Sequence, residues 1–164
     1  MLQGGPQRPP FLFLRSMAFG RTKTYTLDEA RAAIQRYCAF QERCQSEVAE
    51  RLRSMGVLPE AQADLVSELM SEGYLSEERF ARAFARGKFR IKGWGPHKIA
   101  LHLQAKRVSS ACITLGLDEL DEAELRAYLA RKKEDFDDEH EYMAWCYRKG
   151  FDRGMAASVF RSED

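Results

Sequence analysis

Nine basic side chains crowd one stretch of this chain: Arg79, Arg82, Arg86, Lys88, Arg90, Lys92, Lys98, Lys106 and Arg107. Between the first and the last of them there is no Asp or Glu, although the whole chain carries a formal net charge of only +1. Positive charge is therefore concentrated locally and is not a property of the overall composition. The chemistry this permits is electrostatic recognition of an anionic partner, either nucleic-acid phosphates or an acidic protein surface.

A helix from Ser76 to about Lys92 would position most of these groups. Phe80, Ala83, Phe84 and Ile91 recur at the helical period and predict an inward face, while Arg82, Arg86 and Arg90 stand four apart on another, with Arg79 a turn before them. Ser76 is placed to cap the helix start. Gly93 and Gly95 break the helix, and Pro96 opens the next at the first-turn position that tolerates it. Trp94, inside that glycine-rich turn, either packs beneath the two helices or presents its ring to a partner.

Bond-making chemistry finds little support in the sequence. There is no phosphate-binding glycine loop, dinucleotide fingerprint, paired-histidine zinc motif or nucleophile elbow, so the chain reads as a non-enzyme with no cofactor. His97 and His102 lie five apart and share a helix face poorly. His140 sits in the run Asp137-Asp138-Glu139-His140-Glu141, which lacks the ligand spacing of a calcium loop. Cys38, Cys44, Cys112 and Cys146 have no CxxC spacing and read as reduced, mostly buried thiols, which points to the cytoplasm. No apolar run approaches the roughly 20 residues that span a bilayer.

Along the chain, residues 1–24 are rich in Gly, Pro and Arg and read as a disordered extension, with Met17 an alternative start. From Tyr25 onward the pattern is helical. Thr26 with Glu29 has capping-box spacing ahead of the stripe Ala30, Ala33, Ile34, Tyr37 and Cys38. A second helix is predicted from Gln45 to Met55 with Val48, Ala49 and Leu52 inward. A third is predicted from Pro59 to Glu72 with Leu65, Leu69 and Met70 inward.

Ser46–Val57, His97–Val108 and His140–Phe151 can be superposed as one repeated helix. Val48, Ile99 and Tyr142 coincide, as do Ala49, Ala100 and Met143, and Leu52, Leu103 and Cys146. This predicts an all-α chain of three tandem three-helix repeats over 25–74, 75–120 and 121–164, forming an elongated, curved, modular body. The basic middle is flanked by acidic stretches. Glu60 to Glu78 holds six acidic residues and no basic one, and Leu117 to Glu141 holds eleven acidic and four basic. The stretches are either solvated helix faces or the flanks of a charge-segregated molecule that binds an anionic surface at its centre.

The run Gly73-Tyr74-Leu75-Ser76-Glu77-Glu78-Arg79-Phe80-Ala81 resembles the motif G-Y-[IL]-[DNS]-[DE]-x-R-[FY]-A of the RecX family. The turn Gly93-Trp94-Gly95-Pro96 with Ile99 resembles that family's G-x-[GS]-P-x-x-I. The resemblance covers Tyr25 to about Phe160, and the last, acidic repeat departs from it most. It implies a regulator that binds the recombinase RecA, or the RecA filament on single-stranded DNA; the chain itself is expected to be a monomer. Such a regulator lowers ATP hydrolysis, strand exchange and co-protease activity without chemistry of its own. The nine basic residues are then expected to supply the contact to RecA or DNA. The alternative from another class is a direct nucleic-acid binder using the same patch.

Overall fold

The Thr26 hydroxyl accepts from the Glu29 amide at 3.2 Å, and the Glu29 carboxylate accepts from the Thr26 amide at 2.9 Å. This reciprocal cap satisfies two backbone donors that the first helical turn leaves unpaired, and it opens helix α1 (Leu27–Phe40). The computed structural model describes residues 25–162, so the expected disordered extension over 1–24 lies outside the described residues. Eight further helices follow: α2 (Gln45–Ser54), α3 (Pro59–Ser71), α4 (Glu77–Lys92), α5 (Pro96–Ala105), α6 (Ser110–Leu117), α7 (Glu122–Lys133), α8 (Glu139–Lys149) and α9 (Arg153–Arg161). Among the described residues the fold is all-α, a tandem array of three-helix repeats.

Local chemistry sets most of the boundaries. Ser76, Ser109, Asp121, Asp138 and Asp152 each accept a backbone N–H in the first turn of the helix they precede. Pro59 and Pro96 occupy first positions, where the missing N–H costs nothing. The second helix of every repeat ends on a left-handed residue: Gly56, Arg107 and Gly150.

The apolar side chains form two cores. Ile34 and Cys38 of α1, Val48 and Leu52 of α2, and Leu65 and Leu69 of α3 close with Leu75 into the first. Helices α4 to α9 share the second, which runs without interruption from Phe80 and Ala81 through Ile99 and Leu103 to Leu129, Tyr142 and Val159. The superposed positions of the second helices, Val48, Ile99 and Tyr142, are all fully buried. Aromatic rings fill the far end, where Trp145 lies against Tyr128, Phe136, Tyr142 and Phe151.

Two inward assignments are corrected. Ile91 is 79% exposed, and the buried side chains of α4 are Phe80, Ala81, Ala85 and Phe89, with Phe84 packed at the edge. The stripe drifts around the helix because α4 serves two neighbours. Ala81 faces Gly116 of α6, whereas Phe89 meets Tyr128 of α7 edge-on at 5.5 Å. Ile91 falls on the side left behind. Met70 is 47% exposed, since the face of α3 that meets α1 and α2 is filled by Leu65 and Leu69.

Candidate partner-binding surface

Capped by Ser76 and anchored through Phe80, Ala81, Ala85 and Phe89, α4 does turn its arginines away from the core. There they meet carboxylates of this same chain, some from the acidic flanks and some from the first repeat. Glu119, in the turn after α6, takes Arg82 at 2.5 Å and Arg86 at 2.7 Å, and Arg82 also pairs with Glu78 at 2.9 Å. Arg79 bonds Glu42 at 2.9 Å and the Gly73 carbonyl at 2.8 Å. Arg90 approaches Glu124 at 3.9 Å, and Lys106 pairs with Glu47 at 2.5 Å. The hydrogen bond from Arg86, then that from Arg82, holds the Glu119 carboxyl below the usual glutamate range. Burial pulls the Lys106 ammonium down, but the bond and charge of Glu47 outweigh it and leave the group raised.

The nine expected contact residues therefore divide. Arg79, Arg82, Arg86, Arg90 and Lys106 hold carboxylates of this same chain. Lys88, Lys92, Lys98 and Arg107 have no carboxylate partner among the described residues. Arg107 is the one non-glycine residue there with positive φ, at 60°. Backbone strain of this kind is otherwise avoided by glycine, as its counterparts Gly56 and Gly150 do.

Lys88 and Lys98 converge on Trp94, their ammonium groups 5.1 and 5.0 Å from its ring. Trp94 is half-buried and stacks on His102 with centroids 4.3 Å apart, so it packs and presents an edge at once. Gly95 donates to the Lys149 carbonyl at 2.8 Å and His97 to the Gly150 carbonyl at 3.0 Å, tying the start of α5 to the end of α8. A Cβ on Gly95 would fall on the Gly150 backbone, one on Gly150 on Lys98, and one on Gly93 on the Tyr128 hydroxyl. The glycines of the Gly93-Trp94-Gly95-Pro96 turn thus allow the second and third repeats to close on each other.

Arg148 and Lys149 extend the cationic edge, Lys98 Nζ donating to the Arg148 carbonyl at 3.2 Å and Lys149 Nζ to that of Lys92 at 3.1 Å. Neither Arg148 nor Lys149 belongs to the basic stretch read from sequence. The only signal for them is the basic pair before Gly150 at the end of the third superposed helix. His97 and His102, which share a face poorly as an isolated pair, line one groove between α5 and α8. No group of three or more His, Cys, Asp or Glu side chains suited to a metal ion occurs among the described residues. All four cysteines are free; Cys38, Cys44 and Cys146 are buried, and burial raises the thiols of Cys38 and Cys146.

Residues 76–117 match the family model described as the second three-helix domain of RecX. A regulatory protein RecX from Thermotoga maritima is 28% identical over 130 residues, covering 79% of this chain and 81% of that protein. One from Streptomyces coelicolor is 28% identical over 145 residues, covering 82% and 77%. One from Lactobacillus johnsonii is 33% identical over 88 residues, 54% of this chain and 32% of its own length, so that match spans about a third of the relative. The crystal structure of RecX from Lactobacillus salivarius superposes with a TM-score of 0.76 at 16% identity, covering 82% of this chain and 94% of that one. A likeness at this identity is one of fold.

Proposed function

We propose that this chain is a RecX-type regulator of the recombinase RecA, a reading supported by its similarity to the second three-helix domain of RecX and to proteins named regulatory protein RecX. It binds RecA, or the RecA filament on single-stranded DNA, and modulates it mainly by inhibition: ATP hydrolysis, strand exchange and co-protease activity in recombination, repair and the SOS response all fall. The observation that carries this reading is the alignment with proteins named regulatory protein RecX over about four fifths of both chains. Binding, with no chemistry of its own, is the means. Lys88, Lys92, Lys98 and Arg107, which meet no carboxylate among the described residues, supply the cationic contact, and Arg79, Arg82 and Arg86 of α4 contribute less because Glu42 and Glu119 already hold them.

The test is ATP hydrolysis by RecA from the same organism on single-stranded DNA, titrated with this protein at two salt concentrations. Inhibition well below one protein per recombinase monomer, persisting at the higher salt, is the expected result; no inhibition at any ratio rejects the proposal. A second reading, direct binding of nucleic acid, is favoured by the lysines that flank the half-buried Trp94 ring. It predicts inhibition only when the protein is abundant enough to coat the DNA, and a steep loss with salt from counterion release.

A further inference from the structure

The groove between α5 and α8 combines cationic and exposed apolar side chains in one concave surface. Its rim carries two cations, Lys98 and Arg148, together with the imidazoles of His97 and His102, and no carboxylate of the described residues lines it. Its walls are apolar and open to solvent: Leu101 is 64% exposed and Tyr147 84%, above a floor formed by Gly150 and the buried Phe151. The open groove, about 500 Å³, has room for one or two large apolar side chains.

We propose that this groove docks an acidic peptide segment of a protein partner, one that inserts a large apolar side chain between Leu101 and Tyr147 and lays carboxylates against Lys98 and Arg148. Charge complementarity selects the sign of the occupant. The backbone amides at the start of α5 do not serve as the anion site, because Gly95 and His97 already donate to the carbonyls of Lys149 and Gly150. Carboxylates must therefore be met by the side chains on the rim. The same bonds fix both walls before any partner arrives, which lowers the ordering cost of binding.

Apolar lining selects a peptide over a nucleic acid. Single strands are held by a series of aromatic faces on which successive bases stack, whereas the groove sets one exposed ring, Tyr147, opposite the aliphatic Leu101. An exposed leucine beside an exposed tyrosine, rimmed by cations, matches an amphipathic anchor with acidic neighbours. The larger groove between α8 and α9 has no such preference, since it places Asp138 and Glu139 alongside Arg153 and Arg161. The inference goes beyond the recombinase reading and holds for whichever protein carries the segment.

Fluorescence anisotropy of the full chain tests it with a labelled peptide of about 15 residues carrying glutamates and two leucines. Its lysine-substituted counterpart and an oligothymidylate of similar length serve as comparisons. Saturable binding of the acidic peptide is expected, falling at least tenfold in Leu101→Asp and severalfold in Arg148→Gln, and unchanged in Arg126→Gln, which lies outside the groove and bonds Glu122 and Ser158. Both main substitutions are at exposed side chains, and unchanged helical circular dichroism confirms folding. Equal binding to the wild type and Leu101→Asp, or equal binding of the acidic and lysine peptides, overturns the proposal. So does oligothymidylate binding that depends on Leu101 and Arg148 while the peptide does not bind. No recombinase is present, so the result is independent of the ATP hydrolysis titration.

Discussion

Glu119 takes two guanidinium groups at once, and its lowered pKa sets the sign of a pH effect. A carboxylate depressed in the folded state contributes stability above its unfolded pKa and loses it as pH falls through the folded value. The stability gap between the wild type and Glu119→Gln is therefore expected to be constant near neutrality and to close between about pH 5 and pH 3; urea unfolding across that range measures it. Arg107 makes the opposite kind of residue-level statement. Its left-handed backbone costs roughly 1–2 kcal/mol, part of which glycine would give back in chain entropy. Arg107→Gly is expected to raise stability by up to about 1 kcal/mol while weakening RecA inhibition. A stability gain without that loss would leave Arg107 as a turn residue with no part in binding.

At the scale of elements, the helix ends were legible because their causes are local. The Thr26–Glu29 box, Pro59, Pro96 and the aspartates ahead of α7, α8 and α9 act within one turn of the chain. Which side of a helix is buried was less legible where two neighbours compete, as Ile91 and Met70 show. The glycine-rich turn before α5 reads in sequence as a helix break, but its glycines also answer a demand from the third repeat. Gly95→Ala places a methyl group against the Gly150 backbone, which cannot yield as a flexible side chain would. It is expected to cost about 1–3 kcal/mol in urea unfolding and to speed hydrogen exchange at the ends of α5 and α8 first. A neutral outcome would show that the joint between these repeats is loose.

For the whole molecule, the sequence separates charges that the fold brings together. Acidic residues before and after the basic stretch return to it: Glu42 and Glu47 from the first repeat, Glu119 and Glu124 from beyond α6. What remains positive is shifted toward the edge shared by α5 and α8, where Lys88, Lys92, Lys98, Arg148 and Lys149 gather around Trp94 and Trp145. Two charge-removing variants separate these populations. Lys88→Gln/Lys92→Gln/Lys98→Gln is expected to reduce RecA inhibition at least tenfold, and Arg82→Gln/Arg86→Gln no more than twofold to threefold, measured as the concentration for half-inhibition. The reverse order would mean that the partner displaces Glu119 and uses the arginines after all.

By itself the sequence determined the helices, the threefold repeat and the resemblance to a family, because periodicity, caps and short motifs are written in neighbouring residues. It also determined that Val48, Ile99 and Tyr142 occupy one equivalent buried position, since a repeated stripe must face a repeated core. Only the tertiary structure decided which cations stay free, because an ion pair such as Arg86–Glu119 depends on a distance in space that no local pattern encodes. The same holds for the groove of His97, Leu101, Tyr147 and Arg148. Its two walls come from different repeats, and they become one surface only where three glycines let those repeats close.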